Sequence, residues 1–253
     1  MKFDATYDGP VRGFQLWVNL RARDKMSPPS FQNARADALP IVDLSPGAAV
    51  KVLVGDMFDV RSPVDTQGVP CVYLDVMLQP GASCVIPRSS HAADLSSCFV
   101  YVYEGRGFFG STRGDTAASE GETMRLAAAG DVVIRAAPAG GDVASSPSGG
   151  GGGGGVSSEG PEHGSCDSDG GGGGGGGGGG RIGLGALVIA GEPIKEPVVQ
   201  YGPFVMSSRE QVMEAFRDYQ SGNFLAEECT YQLHTARGTA VSKRPIDPTY
   251  ARQ

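Results

Sequence analysis

Three histidines, five cysteines and a scatter of carboxylates are the side chains from which catalytic or metal chemistry would have to be built here. His91 lies in the polar run Arg88-Ser89-Ser90-His91-Ala92, His163 in a glycine-rich tract and His234 near the end of the chain. A metal site needs several converging donors. No partner stands at ligand spacing from His91, and all three histidines are expected to be solvated. Cys71, Cys84, Cys98, Cys166 and Cys229 occur singly, without a Cys-x-x-Cys pair, which is the usage of a reducing compartment. Isolated small hydrophobes in strands belong to a core, so Cys166, in the glycine-rich tract, is the expected reactive thiol. Asp75 and Glu104 invite reading as an acid–base pair, yet each occupies a strand or strand end where an outward charge is ordinary.

Gly105-Arg106-Gly107-Phe108-Phe109-Gly110 repeats the glycine spacing of a dinucleotide-binding turn and follows an apolar strand. That turn must open a helix whose N-terminus holds the pyrophosphate, and Ser111-Thr112-Arg113-Gly114-Asp115 is a poor helix start. A β-turn between strands is the expectation instead. The long glycine runs lack the Gly-Lys-Ser/Thr ending of a phosphate loop. The sequence therefore predicts no catalytic, cofactor-binding or metal-ligating residue.

The elements that would position any site are short strands. Phe14, Leu16, Val18 and Leu20 alternate with Gln15, Trp17 and Asn19, the period of a half-buried strand, and a polar, proline-bearing connector runs from Arg21 to Pro40. Val50–Val54, Cys71–Leu78, Phe99–Tyr103 and Val132–Arg135 are rich in Val, Tyr or Phe and bounded by Gly, Pro or Asp. Gln79-Pro80-Gly81 and Ala129-Gly130-Asp131 are turn chemistry. Short strands at this spacing make an all-β sandwich or barrel. Residues 139–180 carry two glycine blocks and cannot bury enough apolar surface to offset the entropy of ordering, so a disordered insertion is expected there. Leu184–Ala190 is an apolar run with no neighbour of its own, so it must pair with strands before the insertion.

Ser207 with Glu210 reads as a capping box, Val212, Ala215, Phe216 and Tyr219 follow at helical spacing, and Gly222 ends the run, predicting one helix within 207–224. Residues 225–253 show no period and are expected to be mostly irregular. A net charge of −7 and a pI of about 5.0 argue against a groove that neutralises nucleic-acid phosphates. The opening MKFDATYDGP has no apolar signal core, and no run approaches the roughly 20 apolar residues of a membrane span. A cytoplasmic or nuclear setting is expected.

Gly13–Leu20 (GFQLWVNL) and Ile189–Met206 (IAGEPIKEPVVQYGPFVM) resemble the pirin family of two-domain cupins. Gly191, Pro193, Pro197, Gly202 and Pro203 fix successive turns of the second block, and Gly222-Asn223-Phe224 continues the similarity. The resemblance implies a C-terminal cupin jelly roll within residues 46–206, interrupted by the insertion at 139–180, with residues 1–40 as the residual end of an N-terminal cupin, its last one or two strands, and the connector. It also implies iron held in that N-terminal cupin by His-x-His and His-x-Glu elements. In an ungapped alignment the latter pair falls on Met1 and Phe3, and the former before the first residue. The general cupin ligand positions of the C-terminal half fall near Pro87, Ser89 and Val133, so no cofactor is predicted for these residues. Two functions are then in view. One is an iron-dependent pirin with quercetin 2,3-dioxygenase or redox-sensitive transcriptional co-regulator activity. The other is a metal-free binding module that meets a protein partner or a second copy through Phe14–Leu20, where apolar side chains left in water forfeit about 1.5 to 3 kcal/mol each.

Overall fold

Alternation of β-branched and aromatic side chains dominates the chain, and the fold follows from it. The computed structural model describes residues 12–66, 68–87, 95–111, 114–127, 130–140, 182–224 and 228–245. Sixteen strands, one α-helix and two single-turn 3-10 helices, Ala22–Asp24 and Ala36–Ala38, occupy them. The first eight strands are β1 (Ser30–Ala34), β2 (Ile41–Ser45), β3 (Ala48–Val54), β4 (Asp56–Met57), β5 (Val60–Arg61), β6 (Cys71–Leu78), β7 (Ser83–Ile86) and β8 (Ser97–Ser111). They are followed by β9 (Gly114–Ser119), β10 (Thr123–Arg125), β11 (Val132–Ala136), β12 (Leu184–Gly191), β13 (Val199–Tyr201) and β14 (Phe204–Met206). Helix α1 (Arg209–Ser221), β15 (Glu228–Thr235) and β16 (Gly238–Pro245) complete the order.

A nine-stranded antiparallel sheet runs β2-β3-β6-β12-β8-β11-β7, with β9 and β10 also paired to β8. Its two ends approach each other, and Ser45 Oγ on β2 donates to the Ser83 carbonyl of β7 at 2.9 Å. The sheet is a nearly closed barrel of jelly-roll type, the all-β class that the sequence predicts. Strand β12 lies between β6 and β8 and pairs with both along its whole length.

Alternate residues of β3, β6, β8, β11 and β12 point inward. Val50, Val52, Leu74, Val76, Val100, Val102, Ile134 and Leu184 are fully buried and fill the interior with aliphatic carbon. Each such side chain contributes about 1.5 to 3 kcal/mol by leaving water. The glycine pattern at 105–110 does not make the expected turn: it lies inside β8. Gly105 adopts φ +74° where β8 passes a register shift in β12, and a Cβ there would stand 2.1 Å from the Gly183 carbonyl oxygen. These glycines permit close backbone approach at a bulge.

Three further expectations are corrected. Phe14–Leu20 joins no sheet; residues 12–20 lie as a strap over the outer face of the barrel. The helix cap falls one residue later than expected. Ser208 Oγ accepts from Gln211 N–H and the Gln211 side chain accepts from Ser208 N–H, while Gly222 closes the helix at φ +78°. The tail is not irregular: β15 and β16 form a hairpin, and β15 pairs in parallel with β1. The glycine tract, His91, His163, Cys166, Met1, Phe3 and Ser89 lie outside the described residues. Among the described residues no helix is long and apolar enough to cross a membrane.

Candidate functional site

The residues singled out for chemistry do not converge. Asp75, on the outer face of β6, is not an ordinary solvated carboxylate: it accepts a 2.7 Å hydrogen bond from the Tyr103 hydroxyl of β8. Desolvation holds its pKa above the usual carboxylate range against the opposing pull of Tyr103 and Lys51. Burial and the Asp75 charge push the Tyr103 hydroxyl up in turn. Gly185 leaves room for that ring, since a Cβ there would meet it at 2.4 Å. Glu104 instead pairs with Arg12 at 3.0 Å, so the two carboxylates have separate partners. Cys84 and Cys98 are buried in the core, and burial pushes the Cys84 thiol up to about 12. Cys71 is half-buried, also with its pKa raised by desolvation. These thiols are poor nucleophiles at neutral pH.

His234 overturns the expectation of a solvated ring, being only 2% exposed. Its Nδ1 lies 2.8 Å from Thr239 Oγ1 on β16 and its Nε2 3.2 Å from Gln32 Oε1 on β1. Gln32 Oε1 also accepts from Asp65 N–H, and Gln32 Nε2 donates to the Asp65 carbonyl. An amide oxygen cannot donate, so the Nε2 contact assigns the proton to that nitrogen. The histidine ties the hairpin to β1, and Gln32 ties both to the loop that precedes β6.

Iron fits poorly here. Val133 and Pro87, at two of the cupin ligand positions, offer no donor atom; Val133 points away from the interior, while Ile86, Phe109 and Ile134 fill the space within. Among the described residues no three His, Cys, Asp or Glu side chains form a group able to hold a metal.

The built concavity lies elsewhere, where the strap, the β13–β14 hairpin and α1 meet. The strap is held by side chains instead of by a sheet ladder. Phe14 packs on Tyr101 and Tyr103 with ring centroids 5.7 and 5.6 Å apart. Leu16, Val18 and Leu20 share a cavity of about 330 Å³ with Val54, Tyr73 and Ile189 of the sheet. Arg21 pairs with Glu192 at 3.1 Å, and Ala22 N–H donates to the Glu196 carboxylate at 2.7 Å. Lys25 donates to Asn19 Oδ1 and to the Val205 carbonyl, and desolvation lowers its pKa. Exposed ion pairs contribute little, so the aromatic and aliphatic contacts carry most of the attachment.

Across from the strap, Phe204 of β14 sits 4.8 Å from Phe216 and 5.2 Å from Phe224, seating the hairpin on α1. Between them opens a groove of about 520 Å³ lined by Trp17, Leu20, Lys25, Met26, Phe204, Met206, Glu214 and Asp218 among others. Trp17 is 75% exposed, Met26 78% and Tyr201 66%. Sequence reasoning found the apolar strap, but it missed the groove, because its walls come from residues 17–26 and 203–224, two regions far apart in the chain.

Barrel, bulges and aliphatic interior define a cupin-type jelly roll. A quercetin 2,3-dioxygenase from Acinetobacter baumannii has this fold in its crystal structure, with a TM-score of 0.58 and 22% identity over 82% of this chain and 55% of that one. Residues 179–225 match the family described as the pirin C-terminal cupin domain. A pirin-like protein of Solanum lycopersicum is 30% identical over 214 residues, covering 85% of this chain and 57% of its own length. A Pseudomonas aeruginosa protein named as a candidate quercetin 2,3-dioxygenase is 29% identical over 219 residues, covering 85% of this chain and 60% of its own. The chain belongs to the pirin family. It spans less than two thirds of the length of these curated relatives.

Proposed function

We propose that these residues act as a binding module, a cupin that meets a protein partner or a second copy through the strap, the β13–β14 hairpin and α1. The observation that carries this reading is the exposure of Trp17 and Met26 around one apolar groove on an otherwise well-packed barrel. Apolar concavities rimmed by polar side chains are where proteins bind. Free cysteines at 71, 84, 98 and 229 go with a reducing, cytoplasmic or nuclear setting. Sedimentation velocity of the full chain at tens of micromolar tests self-association. A species heavier than the monomer that dissociates in Trp17→Ala is expected if the partner is a second copy. A monomer that also fails to capture any partner would remove the reading.

A second reading comes from the relatives named for quercetin 2,3-dioxygenase. In it the protein is an iron-dependent pirin, with dioxygenase or transcriptional co-regulator activity, and the residues described here are scaffold to a metal bound elsewhere. Iron quantification on the purified chain, with flavonol turnover assayed alongside, separates the two. Iron near stoichiometry with turnover supports the second reading, and iron-free protein without turnover supports the first.

A further inference from the structure

We infer that the groove between the strap and α1 takes a partner segment that is apolar along one side and carries Lys or Arg along the other. This deepens the binding-module reading and rests on it. The apolar half of the recognition is the wall formed by Trp17, Leu20, Met26, Phe204, Met206 and Phe224. Thioether and aromatic side chains of this kind adapt to a range of apolar shapes. The charged half is on α1. Glu210, Glu214 and Asp218 follow one another at intervals of four, so they form one ridge along the helix. Glu214 and Asp218 line the groove. Among the described residues neither is in an ion pair.

Arg209 acts on Glu210, but among the described residues nearby cations do not pair with Glu214 or Asp218. Lys25, also in the lining, has its ammonium turned to Asn19 Oδ1 and the Val205 carbonyl. Arg217 lies on the same helix, and its Nε donates back to the Met213 carbonyl. Two carboxylates are left at the edge of an apolar floor, which is the charge pattern that favours a basic amphipathic segment and repels an acidic one. A second copy fits less well on the same ground. A twofold contact through this face would place two acidic ridges in one interface with no basic ridge to meet them. The net charge of −7 adds a field that draws a basic segment and slows an acidic one.

The test uses the full chain and two designed helical peptides of about five turns, ~18 residues, with identical apolar faces and either Lys or Glu on the polar face. Binding is read by anisotropy of a labelled peptide and by emission of Trp17, the only tryptophan in the chain. The Lys peptide is expected to bind about tenfold tighter than the Glu peptide at low salt and to shift Trp17 emission to the blue. That margin shrinks in about 0.5 M salt, where exposed charges are screened. The double variant Glu214→Lys with Asp218→Lys reverses the preference; both positions are on the helix surface, and circular dichroism confirms that the helix is intact. Equal binding of the two peptides, absence of binding by either, or a preference unmoved by the double variant overturns the inference. Equal binding that is lost in Trp17→Ala leaves the binding-module reading standing. Failure of both peptides, together with sedimentation unaltered by Trp17→Ala and no partner captured, takes that reading down as well.

Discussion

The barrel interior and the strap face are built from the same kinds of apolar side chain, yet they are held in different ways. Inside, Val50, Leu74, Val76, Val100 and Ile134 sit on strands locked by continuous ladders, and water reaches none of them. Outside, Phe14, Leu16, Trp17 and Val18 sit on a segment with no ladder, attached through side chains and still partly wet. The first arrangement gives stability, because burial is complete and cooperative. The second leaves apolar area uncovered on a positioned segment, which is what a binding face requires.

That contrast can be broken by substitution. Leu74→Ala empties a fully buried site and is expected to cost about 2 to 5 kcal/mol, measured as a fall in urea midpoint at constant slope. His234→Ala removes a buried ring that links three strands and is expected to cost about 1 to 3 kcal/mol. Hydrogen exchange should confine that loss to residues 30–34 and 228–245; faster exchange throughout the barrel would show that the hairpin is part of the main cooperative unit.

Trp17→Ala should change stability by less than about 0.5 kcal/mol while weakening association through the groove. A large drop in melting temperature would place Trp17 with the core instead. The smallest effect is expected at Asp75. Its folded pKa lies above the unfolded value, so the folded state holds the proton more tightly and the group's contribution to stability falls as pH rises through that window. Asp75→Asn, with its amide oxygen still able to accept from Tyr103, should flatten this part of the pH profile and be relatively more favourable at pH 7 than at pH 4. A profile unchanged by the substitution would show that Asp75 does not titrate in that window.

The barrel was legible where hydropathy and geometry share a period. Cys71–Leu78 was read as a strand with the bounds it has, because alternate residues face an apolar interior. The strap shows the limit of that signal, since alternation reports two different environments and not a hydrogen-bonded neighbour. In the tail, Tyr231 and Leu233 alternate with Gln232 and His234, but the flanking residues are polar on both faces, so no period stood out. Ser207 and Ser208 were equally able to cap α1, and the choice fell to Gln211, not to the acidic residue before it. The burial of His234 had no local signal at all: Gln32 lies 202 residues away in the chain. For the same reason the groove was invisible, while its ingredients, an apolar strap and an amphipathic helix, were both in view.

The central place of β12 between β6 and β8 has a consequence for how the molecule comes into being. Both neighbours are synthesised well before Leu184, and neither can complete its ladder until Gly191 has left the ribosome. The strands made first therefore wait with open edges, and closing the sheet joins residues far apart in sequence, a topology that goes with slower folding. Changing the number of residues between Gly140 and Ile182 should alter that closure only weakly, because the entropy of closing a loop grows with the logarithm of its length. Trimming the intervening residues should therefore change the speed of folding modestly and leave the native state as it is.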